Sequence, residues 1–514
     1  MEKAASSKKP KAAGTGEPSA SYGLHWFRRD LRIAGNAGLA WSQKEHKGRA
    51  LGFFCWEGYA KRDRAGYPAN QNLFLLRTVA ALKEELEARG SGLIFFCEEP
   101  ATALGTLFAQ QKTQGVRTPA TVSWNRGYEP EAQRLEESLQ NFLTPKGILT
   151  HSERDQLLIE PHEIFKESNK KQPYQVYTPF SKQWLKVFRS AEIQARIAQQ
   201  SKALAQYKRR TARPDDFELA PEQLVDKKFY AASSQRLATA IAELEAKVSI
   251  TLPPAGALAA FQRLKDFDRE LGSYHSQRDV PSIAGTSRFS AYLNNGSLTI
   301  DQIIAAYELK ADEAEDSGRF KFFKELIWRE FYYYILVRFP HVTVEPFQAR
   351  YRNLAWDNRE DWFERWKKGE TGFPIVDAGM RELLSTGWMH NRVRMIVASF
   401  LCKDLLIDWR WGEQHFLEHL IDGDPALNNG GWQWAASTGC DPQPYFRIFN
   451  PELQSQRFDP EGLYIRKYVP ELAHLRPPVI HKPGAKDRGR AYPAPLVDHA
   501  LQKAKALALY KGAR

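Results

Sequence analysis

Cysteine is scarce in this chain. Only four occur in 514 residues, Cys55, Cys97, Cys402 and Cys440, scattered through apolar or mixed segments without a CxxC pair. That spacing excludes a disulfide-stapled scaffold and offers neither a zinc nor a dithiol motif. A reducing compartment is the expected setting. No apolar run approaches the ~18 residues needed to cross a bilayer. The first stretch, MEKAASSKKPKAAGTGEPSA, lacks the apolar core of a secretory signal. The expected protein is therefore soluble and intracellular, cytoplasmic in a bacterium and nuclear or organellar in a eukaryote. Residues 1–20 read as a disordered basic tail. GxGxxG and HExxH are also missing, and no repeat of fixed period appears.

What the chain has in quantity is aromatic and basic. Twenty-nine Phe, twenty Tyr and fourteen Trp accompany a formal charge of +12, a balance that suits a polyanionic partner such as nucleic acid or a solvated basic face. The densest chemistry lies between Asp422 and Asn450, DGDPALNNGGWQWAASTGCDPQPYFRIFN, which neither helix nor strand periodicity explains. Asp422, Asp424, Asn428 and Asn429 are costly to bury without partners. Gly430 and Gly431 allow close backbone approach to a planar ligand, or a turn. Trp432 and Trp434 suit a core or a stacking platform.

Along the chain, YGLHWF, RALGFFCW, GLIFFCE and TVSWN alternate with helical periods from Tyr22 onward. This order predicts an α/β domain over residues 21–150 with a parallel, Rossmann-like sheet. Residues 151–235 read as an interdomain connector, rich in proline and charge. Residues 236–480 read as a large all-α domain, followed by a C-terminal segment over 481–514. Gly285 to Ser290 offer hydroxyls and amides that bind phosphate or cap a helix. His415 and His419 lie at i, i+4, yet no third ligand is evident in the sequence, so no metal is assigned. Glu325 and Trp328 share one helix face, the bland reading being a solvated charge beside a core indole.

Together WFRRDLR at 26–32, GTSRFS at 285–290, ELIWREF at 325–331, TGFPIVDAGMREL at 371–383, GWMHNRVRM at 387–395 and DGDPALNNGGWQWAASTG at 422–439 resemble the DNA photolyase and cryptochrome family. The resemblance is closest to class I cyclobutane pyrimidine dimer photolyases and runs from Tyr22 to the C-terminus. It implies that the helical domain holds FAD, with Tyr274, Thr286, Ser287, Arg288, Phe289 and Ser290 on its phosphates and ribityl chain. Asp422, Gly423 and Asp424 would run along the isoalloxazine ring, Arg394 would pair with Asp422, and Asn428 would lie beside flavin N5. The implied reaction is light-driven electron transfer from excited, fully reduced flavin to a flipped-out dimer in DNA, with return of the electron after the cyclobutane ring opens. Glu325 would hydrogen-bond the dimer and Asn391 would add a second polar contact. Trp328 and Trp434 would stack on the dimer, and Met395 would line the apolar wall. Arg278, Arg329, Arg392 and Arg447 would hold phosphates at the rim. Trp432, Trp409 and Trp356 match the family's photoreduction chain.

The resemblance thins in the α/β domain. WNRGYEP at 124–130 is similar to the deazaflavin-antenna segment, but Gly127 replaces an aspartate and Asn294 a lysine, while the folate-type lysine position is Val344. The antenna chromophore, folate or deazaflavin, is left unassigned. Gly35 also replaces an aspartate that usually precedes the asparagine after WFRRDLR. A (6-4) photolyase would carry a histidine pair where Asn391 and Met395 stand. A cryptochrome-type blue-light receptor is the main rival to repair. The expected state is a monomer.

Overall fold

The computed structural model describes residues 21–56, 66, 68–166, 172–209 and 217–513. The expected tail over 1–20 lies outside the described residues. The N-terminal part is a five-stranded parallel sheet: β1 (Gly23–Phe27), β2 (Ala50–Cys55), β3 (Leu93–Phe96), β4 (Thr121–Asn125) and β5 (Leu149–Glu153) in the order β3-β2-β1-β4-β5. Strands β1 to β4 are buried along their whole length, which is why each reads as an unbroken apolar run: helices cover both faces. β5 is LTHSE and half-exposed. The sequence reading missed it because an edge strand need not be apolar.

The chain steps outward from β1 to β3 and then crosses back to β4, leaving the topological switch point between β1 and β4. In open α/β sheets the crevice at this point commonly takes a ligand. Here protein side chains fill it. His25 meets Ser123 Oγ at 2.9 Å and Asp30 Oδ2 at 3.0 Å, while Asn36 and Asn125 donate to Asp30 Oδ2 at 3.0 and 2.6 Å. Burial alone would raise the Asp30 carboxyl, but bonds from His25, the Arg28 amide and Asn125 bring it down to about 2.

The opposite edge is covered too. The helix Lys227–Glu245 lies against β3, where the Tyr230 hydroxyl and Ser233 Oγ accept the Leu93 and Phe95 amides at 3.3 and 2.7 Å. This helix starts before residue 236 and caps the sheet edge, which would otherwise be open to strand pairing. The segment expected as an extended connector contains two sizeable helices, Tyr177–Phe188 and Ala191–Arg209.

From Ala257 onward the described chain is helical. Its longest helix, Gly318–Arg338, is capped by Ser317 and buried along most of its length. One apolar cluster runs from the sheet (Phe27, Phe54) through this helix (Phe331, Tyr334) to Ile421. The WFRRDLR motif clamps this seam. Arg32, fully buried, makes a two-pronged ion pair with Asp155 and donates to Gly296 O and Gly35 O, and Arg29 reaches Asp424 at 3.1 Å. The C-terminal segment joins the same body, its helix His499–Gly512 burying Tyr510. No described helix is long and apolar enough to cross a membrane.

Candidate active site

The stretch that defied periodicity contains a short capped helix, Pro425–Ala435. Asp424 is its N-cap, accepting the Ala426 and Leu427 amides at 3.0 and 3.2 Å, and Pro425 occupies the first turn, where its missing N–H costs nothing. The two glycines serve different ends. A Cβ on Gly430 would lie 2.1 Å from the Tyr332 ring, so this glycine admits a neighbouring helix. A Cβ on Gly431 would meet nothing within 4 Å, and Gly431 lines a cavity.

That cavity has a volume of about 490 Å³, within the ~300–1,000 Å³ typical of cofactor pockets. One wall is built on Asp422. Its carboxylate, 2% exposed, accepts Arg394 at 2.9 and 3.1 Å and Ser290 Oγ–H at 2.6 Å, while Arg394 Nε donates to Met389 O at 2.8 Å. Arginine neutralises a carboxylate that would otherwise be costly to bury. Thr286 to Ser290 form the adjoining wall. Arg263 braces this loop by donating to Ser287 O and Thr286 O at 2.8 and 3.1 Å. Arg288 adopts φ +53° and lays its guanidinium 4.1 Å over the Trp388 ring. Tyr274 closes this end, edge-on to Phe267 and Phe322.

Asn428 lies further in. Its Nδ2 donates to Glu413 O at 2.9 Å, which fixes the amide plane, and no protein donor reaches its Oδ1 among the described residues. Behind it Asn429 donates to the Glu413 carboxylate at 2.9 Å, and burial pushes that carboxyl up to about 7. At the mouth, Arg278 pairs with Glu325 at 2.6 Å, and Arg392 pairs with Asp279 at 2.9 Å. Trp328 is stacked on Tyr177 at 3.6 Å with a 3° interplanar angle. Trp328, Trp434, Asn391 and Met395 all line the same cavity. A bare acceptor, a buried Asp–Arg pair, a hydroxyl-rich loop and a glycine opening on free space fit a large, flat, phosphate-bearing cofactor.

Residues 322–512 match the family model described as the FAD binding domain of DNA photolyase, and residues 23–200 match that of DNA photolyase. The deoxyribodipyrimidine photo-lyase of Synechococcus sp. is 38% identical over 507 residues, covering 95% of this chain and 96% of its own. This chain belongs to the DNA photolyase family. A bacterial class III photolyase from Agrobacterium tumefaciens superposes with a TM-score of 0.79 at 33% identity, covering 97% of this chain and 99% of that one. A Synechocystis cryptochrome superposes at 0.76 and 26%, covering 95% and 99%.

Several expected photolyase residues are placed or partnered differently. Arg329 borders the cavity but is only 5% exposed, and it donates to Gln156 O at 3.1 Å. That bond makes it a brace of the cavity wall rather than an exposed rim cation. Gly423 does not line the cavity; its carbonyl accepts Asn294 and Gln71 from the facing elements. Asp424 borders the cavity, but its oxygens are committed to the helix cap, Arg29 and Tyr333. Burial would raise its pKa; Arg29 and Arg329 hold it below the ordinary value. Arg392 stands outside the cavity lining. So does Arg447, which is exposed, as a rim contact requires.

The indoles share one apolar cluster. Trp432 lines the cavity and meets Phe416 edge-on at 4.9 Å, Trp409 is buried behind it, and Trp356 is half-buried beside Tyr510 at 6.2 Å. Sequence reasoning missed Tyr332, Trp388, Arg263 and Glu413. Trp388 stood within a recognised motif and was a findable signal; Arg263 and Glu413 were not, because their partners are remote or mediated by backbone.

The antenna positions offer little. A Cβ on Gly127 would lie 2.5 Å from Ala132 Cβ, the Asn294 amide is spent on Gly423 O, and Val344 is an exposed aliphatic. These residues do not fit a folate or deazaflavin held at those positions, and no step of the reaction below runs through an antenna.

Proposed function

We propose that this photolyase repairs cyclobutane pyrimidine dimers in DNA, in the manner of the class I enzymes. When bound, FAD supplies light-driven, reversible electron donation to the dimer. The protein's own part is positioning. Asp422 with Arg394 and the Thr286–Ser290 loop would orient the cofactor, and Asn428 would present Oδ1 as an acceptor at the ring. The observation that carries the reading is the shared lining: a carboxylate, Glu325, and two indoles, Trp328 and Trp434, border the same cavity as Asp422 and Asn428. Such a pocket suits an extruded pyrimidine dimer, packed against indole surface and hydrogen-bonded at its base edge. Arg278 holds Glu325 in the structure. A DNA phosphate taking Arg278 would release the carboxylate for the dimer. The +12 charge supplies the long-range attraction.

The test is repair of a thymine-dimer oligonucleotide by reduced protein under blue light and in darkness, following recovery of absorbance at the base band. Wild type should repair only in the light, and Glu325→Gln should lose most of that activity while binding the oligonucleotide with little change. Unimpaired repair in the variant refutes the role of Glu325. Absence of repair in wild type, with a flavin that still photoreduces, points to a cryptochrome-type receptor, and repair of a (6-4) lesion alone would reassign the substrate.

A further inference from the structure

The helix Trp409–His419 ends in a side-chain cluster that takes no part in the cavity or its mouth. His415, Glu418 and His419 stand at i, i+3 and i+4 of the last turns, so they share one face. One ligand atom of each lies within 4.8 Å of the other two. The histidine rings are 4.3 Å apart.

Three features of this cluster point to a ligand rather than to packing. His415 is 4% exposed, yet its Nε2 has no hydrogen-bond partner among the described residues, whereas buried polar atoms are ordinarily satisfied. Nδ1 of His419 lies 2.9 Å from His415 O. A carbonyl only accepts, so the proton is on Nδ1 and Nε2 keeps its lone pair. This is how a backbone carbonyl orients a metal-ligating imidazole. The C-terminal turn of a helix adds a favourable field for a cation.

We propose that His415, Glu418 and His419 bind one divalent transition-metal ion of the zinc class, with water completing its coordination. Two imidazoles and a carboxylate favour zinc over magnesium or calcium, which take all-oxygen shells. Tetrahedral bonds of ~2.0–2.1 Å put ligand atoms roughly 3.3 Å apart, so the side chains must draw together on binding. Glu418 is half-exposed, accepts from Gln414 at 3.1 Å as its one bond among the described residues, and can turn inward. The ion would tie down the end of a helix that carries Trp409 and Glu413 and whose last carbonyl takes a bond from Asn70 at 2.8 Å.

The test uses tag-free holoprotein, stripped with chelator and titrated with Zn²⁺ by calorimetry, and with Co²⁺ by visible absorption. Wild type should bind one equivalent at micromolar affinity or better, raise its melting temperature, and give tetrahedral cobalt bands. His419→Ala and Glu418→Gln should each lose affinity by an order of magnitude or more while keeping flavin and light-dependent repair, which shows that they fold. Absence of stoichiometric binding by wild type overturns the proposal. Binding undiminished in both variants overturns it equally, by placing the ion elsewhere.

Discussion

Replacing Arg394 with methionine tests the cavity at its electrostatic centre. Asp422 is 2% exposed and Arg394 25%, with N–O distances of 2.9 and 3.1 Å. Removing the guanidinium leaves a buried carboxylate with Ser290 as its remaining partner among the described residues. Loss of one partner from such a pair costs about 3–5 kcal/mol, whereas removing both charges is often nearly neutral. Arg394→Met should therefore destabilise strongly, and Arg394→Met with Asp422→Asn should recover much of that loss. The Met389 carbonyl loses its donor in both, so that cost cancels in the cycle. The assay is a double-mutant cycle on denaturant midpoints with wild type and every variant stripped of flavin, and flavin retention on gel filtration is a second readout. A coupling energy on the order of 3 kcal/mol is expected. A value near zero would refute the claim that the pair is held by mutual charge compensation. Flavin retention should fail in the double variant as well, because the neutral pair no longer presents Asp422 to the cofactor.

Gly431→Val should abolish flavin binding with little loss of fold, since the added carbons enter open cavity space rather than a neighbour; absorbance of the purified protein reads this directly. Trp432→Phe should slow photoreduction of oxidised flavin, seen as bleaching under blue light with an external reductant, while protein reduced chemically in advance still repairs. Glu413→Gln should change the pH dependence of stability. The Glu413 carboxyl keeps its proton up to about 7 when folded, against an ordinary 4.5, so its contribution is fully present below pH 4.5 and is lost as pH rises through 7. Melting temperatures between pH 5 and 8 should fall less steeply in the variant than in wild type; identical slopes would show that Glu413 does not titrate there.

Much of this protein is determined locally. Strands β1 to β4 are legible because a strand buried on both faces must be apolar throughout, and the helices Gly318–Arg338 and Asn391–Lys403 because their apolar stretches are too long for strands, with burial running through most of each. The cavity residues were legible as compact motifs, for Thr286 to Ser290 and Asp422 to Asn428 each concentrate several polar groups at a helix start. Apart from Arg394 with Asp422, expected from the resemblance, the pairings escaped the sequence reading. Arg329 and Arg278 are both arginines near the same glutamate-bearing helix, yet one braces the interior and the other guards the mouth. Gly430 and Gly431 are adjacent, and only the turn of about 100° between them around the helix separates a packing role from a cavity role. Glu418 became a third partner for the two histidines only once the helix placed all three on one side.

Composition, burial pattern and capping residues act over a few positions, so the sequence by itself determined the two-part architecture and the identity of most groups around the cavity. Direction and partnership were decided by the tertiary structure: Arg29 meets Asp424 across 395 positions of chain, which no local periodicity encodes, and the Arg394–Asp422 pair was expected only from the family resemblance. A buried charge must be compensated by whichever group the fold brings within about 3 Å, and only packing selects that group.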